Sequence, residues 1–245
     1  MTALDASKKT LSAGHAANMS GVAAVERALA IAEALVNARR PLNLTELAES
    51  TDLYKSTILR LLVSLESCGL VVRRSDQRFT LGPFAIRLGK AYDACTPLEA
   101  LLQPLMEQLV REGMESPSFH VPNDANTRLC LLRVDSLHST LDRVRVGDRL
   151  PLRAGAPGKV LMGAAPDPHV RDISPLLQVS FGERDPNCAA IAGPVYGPGQ
   201  VLLGALSFSG PLDRFNAASV KVMGPPLLAA CRQATAQLGG QWPED

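Results

Sequence analysis

The side chains of this 245-residue chain best suited to recognition are short hydroxyls and guanidiniums set close together. Lys55, Ser56, Thr57 and Arg60 form one group, and Arg73, Arg74 and Arg78 a second. Hydroxyls near a helix N-terminus donate to phosphate or base edges, and an arginine one turn on can fork onto a guanine. Groups for covalent or metal chemistry show no such order. His15, His120, His138 and His169 have no obvious serine or cysteine partner in the sequence pattern. Cys68, Cys95, Cys130, Cys188 and Cys231 make no C-x-x-C and no zinc spacing, so they read as reduced thiols in a cytosolic protein. Ala154-Gly155-Ala156-Pro157-Gly158-Lys159 lacks the full spacing of a phosphate loop, which excludes nucleotide binding. Neither a metal nor another cofactor is expected.

The elements that must carry these residues follow from periodicity. Val22, Val25, Leu29, Ala32, Leu35 and Val36 mark an amphipathic helix ending at Arg39-Arg40-Pro41. A shorter helix follows, capped by Asn43 or Thr45, with Leu44, Leu47 and Ala48 apolar; Ser50-Thr51-Asp52 breaks it. A third helix runs from about Lys55 to Ser67, with Ile58, Leu61, Leu62 and Leu65 on one face and Ser56, Thr57, Arg60 and Ser64 on the other. Gly69 ends it, and residues 70–74 and 78–81 read as a hairpin with its three arginines near the tip. Two short helices across a tight turn, then a basic hairpin, make a winged helix-turn-helix, an architecture that docks a helix in duplex DNA.

Charge supports two parts with different partners. The formal net charge is +1, which rules out a uniformly basic coat or an acidic tail. Residues 53–90, however, hold seven basic side chains against two acidic ones. No stretch is long and apolar enough for a membrane span, and the first 20 residues lack the apolar run of a secretory signal, reading instead as a disordered cytoplasmic tail.

The run from Val25 to Gly89 resembles the DNA-binding domain of IclR-family transcription regulators. The resemblance rests on V-x-R-A-L at 25–29, L-T-E-L-A at 44–48, K-S-T-x-x-R-L-L at 55–62 and R-F-T-L-G at 78–82; Tyr54 stands where proline is frequent. It implies that Lys55, Ser56, Thr57 and Arg60 lie on a recognition helix and Arg73, Arg74 and Arg78 on the wing, with Thr45 among the DNA-contacting residues. Arg27 is either a phosphate contact or half of a surface ion pair with Glu33 or Glu49. The implied partners are double-stranded operator DNA and further copies of the chain, as a dimer or a dimer of dimers.

Beyond residues 83–96, which the resemblance implies are a linker helix, residues 97–245 read as an α+β domain: a helix from Pro97 to Met114, strands at 118–121, 129–134, 141–146, 189–195 and 200–209, and helices on one side of an antiparallel sheet. The segment Gly147–Ala164 resembles the family's GAF-like effector domain, so Gly155, Ala156, Cys188, Ala190, Ser207 and Ser209 are implied to line a pocket for a small organic acid. Converging backbone N–H groups at Gly155-Ala156 suit a carboxylate. Ser207 and Ser209 share one strand face, which is either this pocket or a polar outer surface. Only 24 positions separate Lys159 from Glu183, a shortened section relative to the family; Asp167–Val170 reads as what is left of its start. The expected function is transcriptional control of a catabolic operon. Two alternatives stay open: an enzyme acting on a small carboxylate, and a repressor gated by the Cys188 or Cys68 thiol.

Overall fold

The computed structural model describes residues 21–95, 98–165 and 173–243. The tail reading for residues 1–20 and the reading of Asp167–Val170 lie outside them. The chain divides into two compact units, one ending at Tyr92 and the other beginning at Asp93.

In the first unit, helices α1 (Ala23–Ala38), α2 (Leu44–Thr51) and α3 (Lys55–Ser67) precede a two-stranded hairpin of β1 (Val71–Arg73) and β2 (Phe79–Leu81). Asn43 caps α2: its side chain accepts from the Thr45 and Glu46 N–H groups, and the Glu46 carboxylate accepts from the Asn43 N–H in return. Asp52 and Gly69 take left-handed backbone angles at the ends of α2 and α3. Ile31, Leu35, Leu47, Ile58, Leu62, Leu65, Val71 and Phe79 form the core, closed by a bridge between Leu42 and Phe79.

The buried face of α1 differs from the expected one. Ile31, Ala34 and Leu35 are buried, whereas Val22, Val25, Leu29 and Val36 are exposed. Both stripes repeat at helical spacing, and only the position of α2 and α3 decides which one faces inward.

Helix α4 (Pro83–Cys95) crosses the boundary between the units. The second unit continues with α5 (Leu98–Arg111), β3 (Ser116–Pro122), β4 (Thr127–Arg133), β5 (Arg149–Pro151), α6 (Ala156–Leu161), β6 (Gln178–Phe181), β7 (Cys188–Tyr196), β8 (Leu202–Pro211) and α7 (Ala217–Gln237). Its strands form one antiparallel sheet in the order β5-β4-β3-β8-β7-β6. α5 and α7 cover one face through Leu102, Met106, Phe119, Ile191, Leu206, Phe208 and Leu227. The short α6 covers the opposite face, over Ala192 and Ala205. Helices therefore lie on both sides of the sheet.

Two further expectations are corrected. Residues 141–146 form no strand, because the outer edge of β4 is taken by 147–151: the Gly147 N–H donates to the Cys130 carbonyl, and the Cys130 N–H to the Asp148 carbonyl. Asp142 and Val144 still turn inward. Helix α7 has no counterpart in the sequence reading, since Pro225 and Pro226 within it are helix-breaking residues. A capping box at Asn216 and Ser219 starts it, and burial of Val220, Met223, Leu227, Cys231 and Ala234 carries it across the prolines.

Candidate functional site

On α3 Ile58, Leu62 and Leu65 are buried and Leu61 is half-buried, while Lys55, Ser56 and Arg60 are exposed and Thr57 is half-buried. Tyr54, just ahead of the helix, has φ −63°, the angle a proline ring would impose, so its side chain replaces proline without altering the turn. The Lys55 ammonium donates to Thr45 Oγ1 at 2.8 Å, tying α3 to α2. Arg27 is exposed on α1.

The three wing arginines are not equivalent. Arg73 stacks 5.7 Å over the Phe79 ring, and Arg74 lies 3.7 Å from Asp76 on the exposed turn. Arg78 instead reaches back to the first turn of α2, 3.1 Å from Glu46 Oε2, with the Pro41 carbonyl accepting at 3.4 Å. It fastens the wing to α2 and is not displayed at the tip. Glu46 thus caps Asn43 and receives Arg40 and Arg78. The Asn43 N–H bond, then Arg40, holds its carboxyl below the usual range.

In the second unit a small cavity of about 30 Å³ lies between the sheet and α6, with room for about two waters. Gly155, Cys188, Ala190, Ser207 and Ser209 line it, together with His120, Arg128, Asp142, Ser180 and Arg184. Between Phe119–Leu132 and His120–Cys130 the β3–β4 register shifts by one residue. That shift turns Leu132 toward the α5–α7 core while Cys130 and Arg128 turn to the cavity face. Gly155, at φ +85°, bends the chain so that α6 begins directly over Arg128.

Arg128 is 2% exposed and donates to the Pro151 and Ala154 carbonyls. Burial, with Arg184 nearby, pushes its pKa down to about 10, so it stays cationic at neutral pH. Burial first, then Arg128, holds His120 well below the ordinary imidazole value, leaving it neutral. His120 Nε2 is 2.9 Å from Ser118 Oγ, which is 3.0 Å from Ser207 Oγ. Ser209 is 3.4 Å from Arg133, and Arg133 pairs with buried Asp142 at 2.6 Å. Among the described residues, His120 Nδ1 and Arg128 Nε are buried without a hydrogen-bond partner.

The loop amides are already bonded: the Gly155 N–H donates to Glu183 and the Ala156 N–H to Ser180 Oγ. Glu183 is held in turn by Lys159. The expected cluster of free N–H groups for a carboxylate is therefore closed by side chains of the chain itself.

Residues 24–75 match the IclR helix-turn-helix domain. Over 247 aligned positions the chain is 26% identical to the HTH-type transcriptional regulator BhcR of Paracoccus denitrificans, covering 89% of this chain and 88% of that one. Its helix-turn-helix domain is of the IclR type, and the likeness to IclR-type regulators runs along nearly the whole chain. Its fold is that of the IclR transcriptional regulator from Alicyclobacillus acidocaldarius, with a TM-score of 0.73 at 20% identity, covering 89% of this chain and 100% of that one. An IclR homologue from Microbacterium hydrocarbonoxydans, solved in complex with 4-hydroxybenzoate, superimposes with a TM-score of 0.70 at 20% identity, covering 88% and 98%. The protein is an IclR-type DNA-binding transcriptional regulator, and its relatives are named as regulators rather than enzymes. Among the described residues no helix is long and apolar enough to cross a membrane.

Of the pocket residues inferred from the resemblance, five line the cavity; Ala156 is fully buried beside it. Ser207 and Ser209 face the cavity side and are not an outer polar surface. The charged lining, Arg128 above all, was not anticipated. Arg128 sits in T-R-L-C-L-L-R, just ahead of the strand expected at 129–134, and alternation would group it with Cys130 and Leu132; the register shift places it on the cavity side instead.

Proposed function

We propose that this regulator binds a pseudo-palindromic operator as a homodimer or dimer of dimers in the cytoplasm. Helix α3 enters the major groove, Ser56, Thr57 and Arg60 meet base edges and phosphates, and Lys55, Thr45, Arg27, Arg73 and Arg74 hold the backbone. The observation that carries this reading is the exposed Lys55-Ser56-Arg60 ridge standing on a fully buried Ile58–Leu62–Leu65 base. Pairing of two heads is supported by the exposed apolar stripe Val22, Val25, Leu29, Val36, whose steps of three, four and seven residues suit a helix–helix seam.

The regulator controls a catabolic operon in response to a small organic acid held by Ser207, Ser209 and the Arg128 cation. The complex of the Microbacterium homologue with 4-hydroxybenzoate supports an acid as ligand. Because the cavity has space for only about two waters, an acid of that size requires a more open form of the domain. A thiol gate finds no support at Cys188, whose thiol is pushed up by burial and by Asp185 and so resists ionisation.

The test is a thermal-shift screen of organic acids on the full chain, with and without the DNA upstream of its own gene. DNA should raise the melting temperature, and an effector should raise it alone and change the DNA increment. No retention of that DNA at low salt would sink the operator reading; no acid shifting the melt would sink the effector reading.

A further inference from the structure

We propose that this regulator reads thymine methyl groups through Leu59 and Val63. The inference rests on the placement of α3 in the major groove and deepens it. On that helix Ile58, Leu62 and Leu65 are buried, yet Leu59 is 44% and Val63 66% exposed. Neither belongs to the core of the first unit or packs against its edge. Both share the outward side with Ser56 and Arg60, because positions three and four apart are neighbours on a helix.

Each base pair shows the major groove hydrogen-bonding groups, and the C5-methyl of thymine is the apolar mark a base adds there. Serine and arginine have no use for that methyl, whereas an aliphatic side chain excludes water from it. Charge complementarity selects DNA as the occupant of this face. Lys55 and Arg60 lie on the same helix, and the outward side chains from 55 to 64 include no carboxylate. Leu59 and Val63 are one helical turn apart, about 6 Å along the axis. That distance spans roughly two base-pair steps, so the two methyls lie close to the base that Arg60 reads.

A binding sequence is first selected from a randomised duplex library with the full-length protein. Every thymine is then replaced singly by deoxyuridine, which removes the methyl and leaves pairing intact. At one or two positions per half-site the replacement should weaken wild-type binding roughly fourfold, the value of one buried methyl. The same replacement should cost Leu59→Ala or Val63→Ala nothing further, and both variants should melt with the wild type, since the side chains are exposed. Methyl-independent binding throughout, or a deoxyuridine penalty undiminished in both variants, overturns the proposal. Arg60→Ala separates the two layers. If it loses the selected preference while deoxyuridine is silent, α3 reads bases without methyl contacts. If it keeps the preference, or if the selection returns no sequence at all, the groove placement itself fails.

Discussion

Arg60 and Arg74 carry the same guanidinium in different places, and the place sets what each loss does. Arg60 projects from the outward side of α3, so Arg60→Ala should cost about 1–3 kcal/mol on the operator and blur base preference. Arg74 lies on the hairpin turn beside Asp76, and Arg74→Ala should weaken operator and random DNA alike and flatten the salt dependence. Fluorescence anisotropy on both duplexes separates the outcomes; equal losses on both duplexes for both variants contradict the assignment. His120 gives a residue-scale prediction of another kind. It is neutral when folded, but its unfolded form takes up a proton below about pH 6.5. The unfolded chain then binds more protons, so this contribution is complete above that pH and is lost as pH falls. Between about pH 7.5 and 5 the wild-type melting temperature should drop more steeply than that of His120→Gln. Parallel slopes would show that His120 is not buried neutral.

At the scale of elements, α6 is set by what its glycines allow. A Cβ on Gly158 would meet the Leu152 carbonyl and come within 3.1 Å of the Arg128 guanidinium. Gly158→Ala should therefore lift α6 off the sheet and cost about 1–3 kcal/mol, read as a lower denaturation midpoint at unchanged slope. An unchanged midpoint would mean the α6 backbone yields freely. α2 and the wing are joined in a comparable way, through Glu46. Glu46→Gln keeps the size but removes the charge that receives Arg40 and Arg78. Its effect should be a wing that is cut by protease sooner, with α3 still folded. The register shift in β4 shows why sequence pattern alone misplaced chemistry here. Alternation predicts one face for Arg128, Cys130 and Leu132, and the shift splits them between cavity and core.

At the scale of the whole molecule, the proposed reading requires two heads to meet two half-sites. Val22, Val25, Leu29 and Val36 stand exposed on α1 of a chain whose first unit already has a complete core without them. Leu29→Glu should leave that core and its melting temperature intact while lowering the mass seen by analytical ultracentrifugation and weakening binding to a two-half-site operator. A variant of unchanged mass would place the seam elsewhere.

Local chemistry settled much of this protein from its sequence. The bounds of α3, the Asn43 cap, the glycine that follows α3 and the pairing of the wing depend on residues a few positions apart, and their side chains act on backbone groups within reach. Three matters belonged to the tertiary structure. Which of two apolar stripes on α1 turns inward depends on where α2 and α3 lie. Whether a helix survives Pro225 and Pro226 depends on how much apolar surface it buries. Whether Arg128 shares the face of Leu132 or turns to a cavity depends on one skipped residue between strands. Each is a competition between a local preference and contacts made by residues far apart in the chain, and only the assembled fold holds both sides of it.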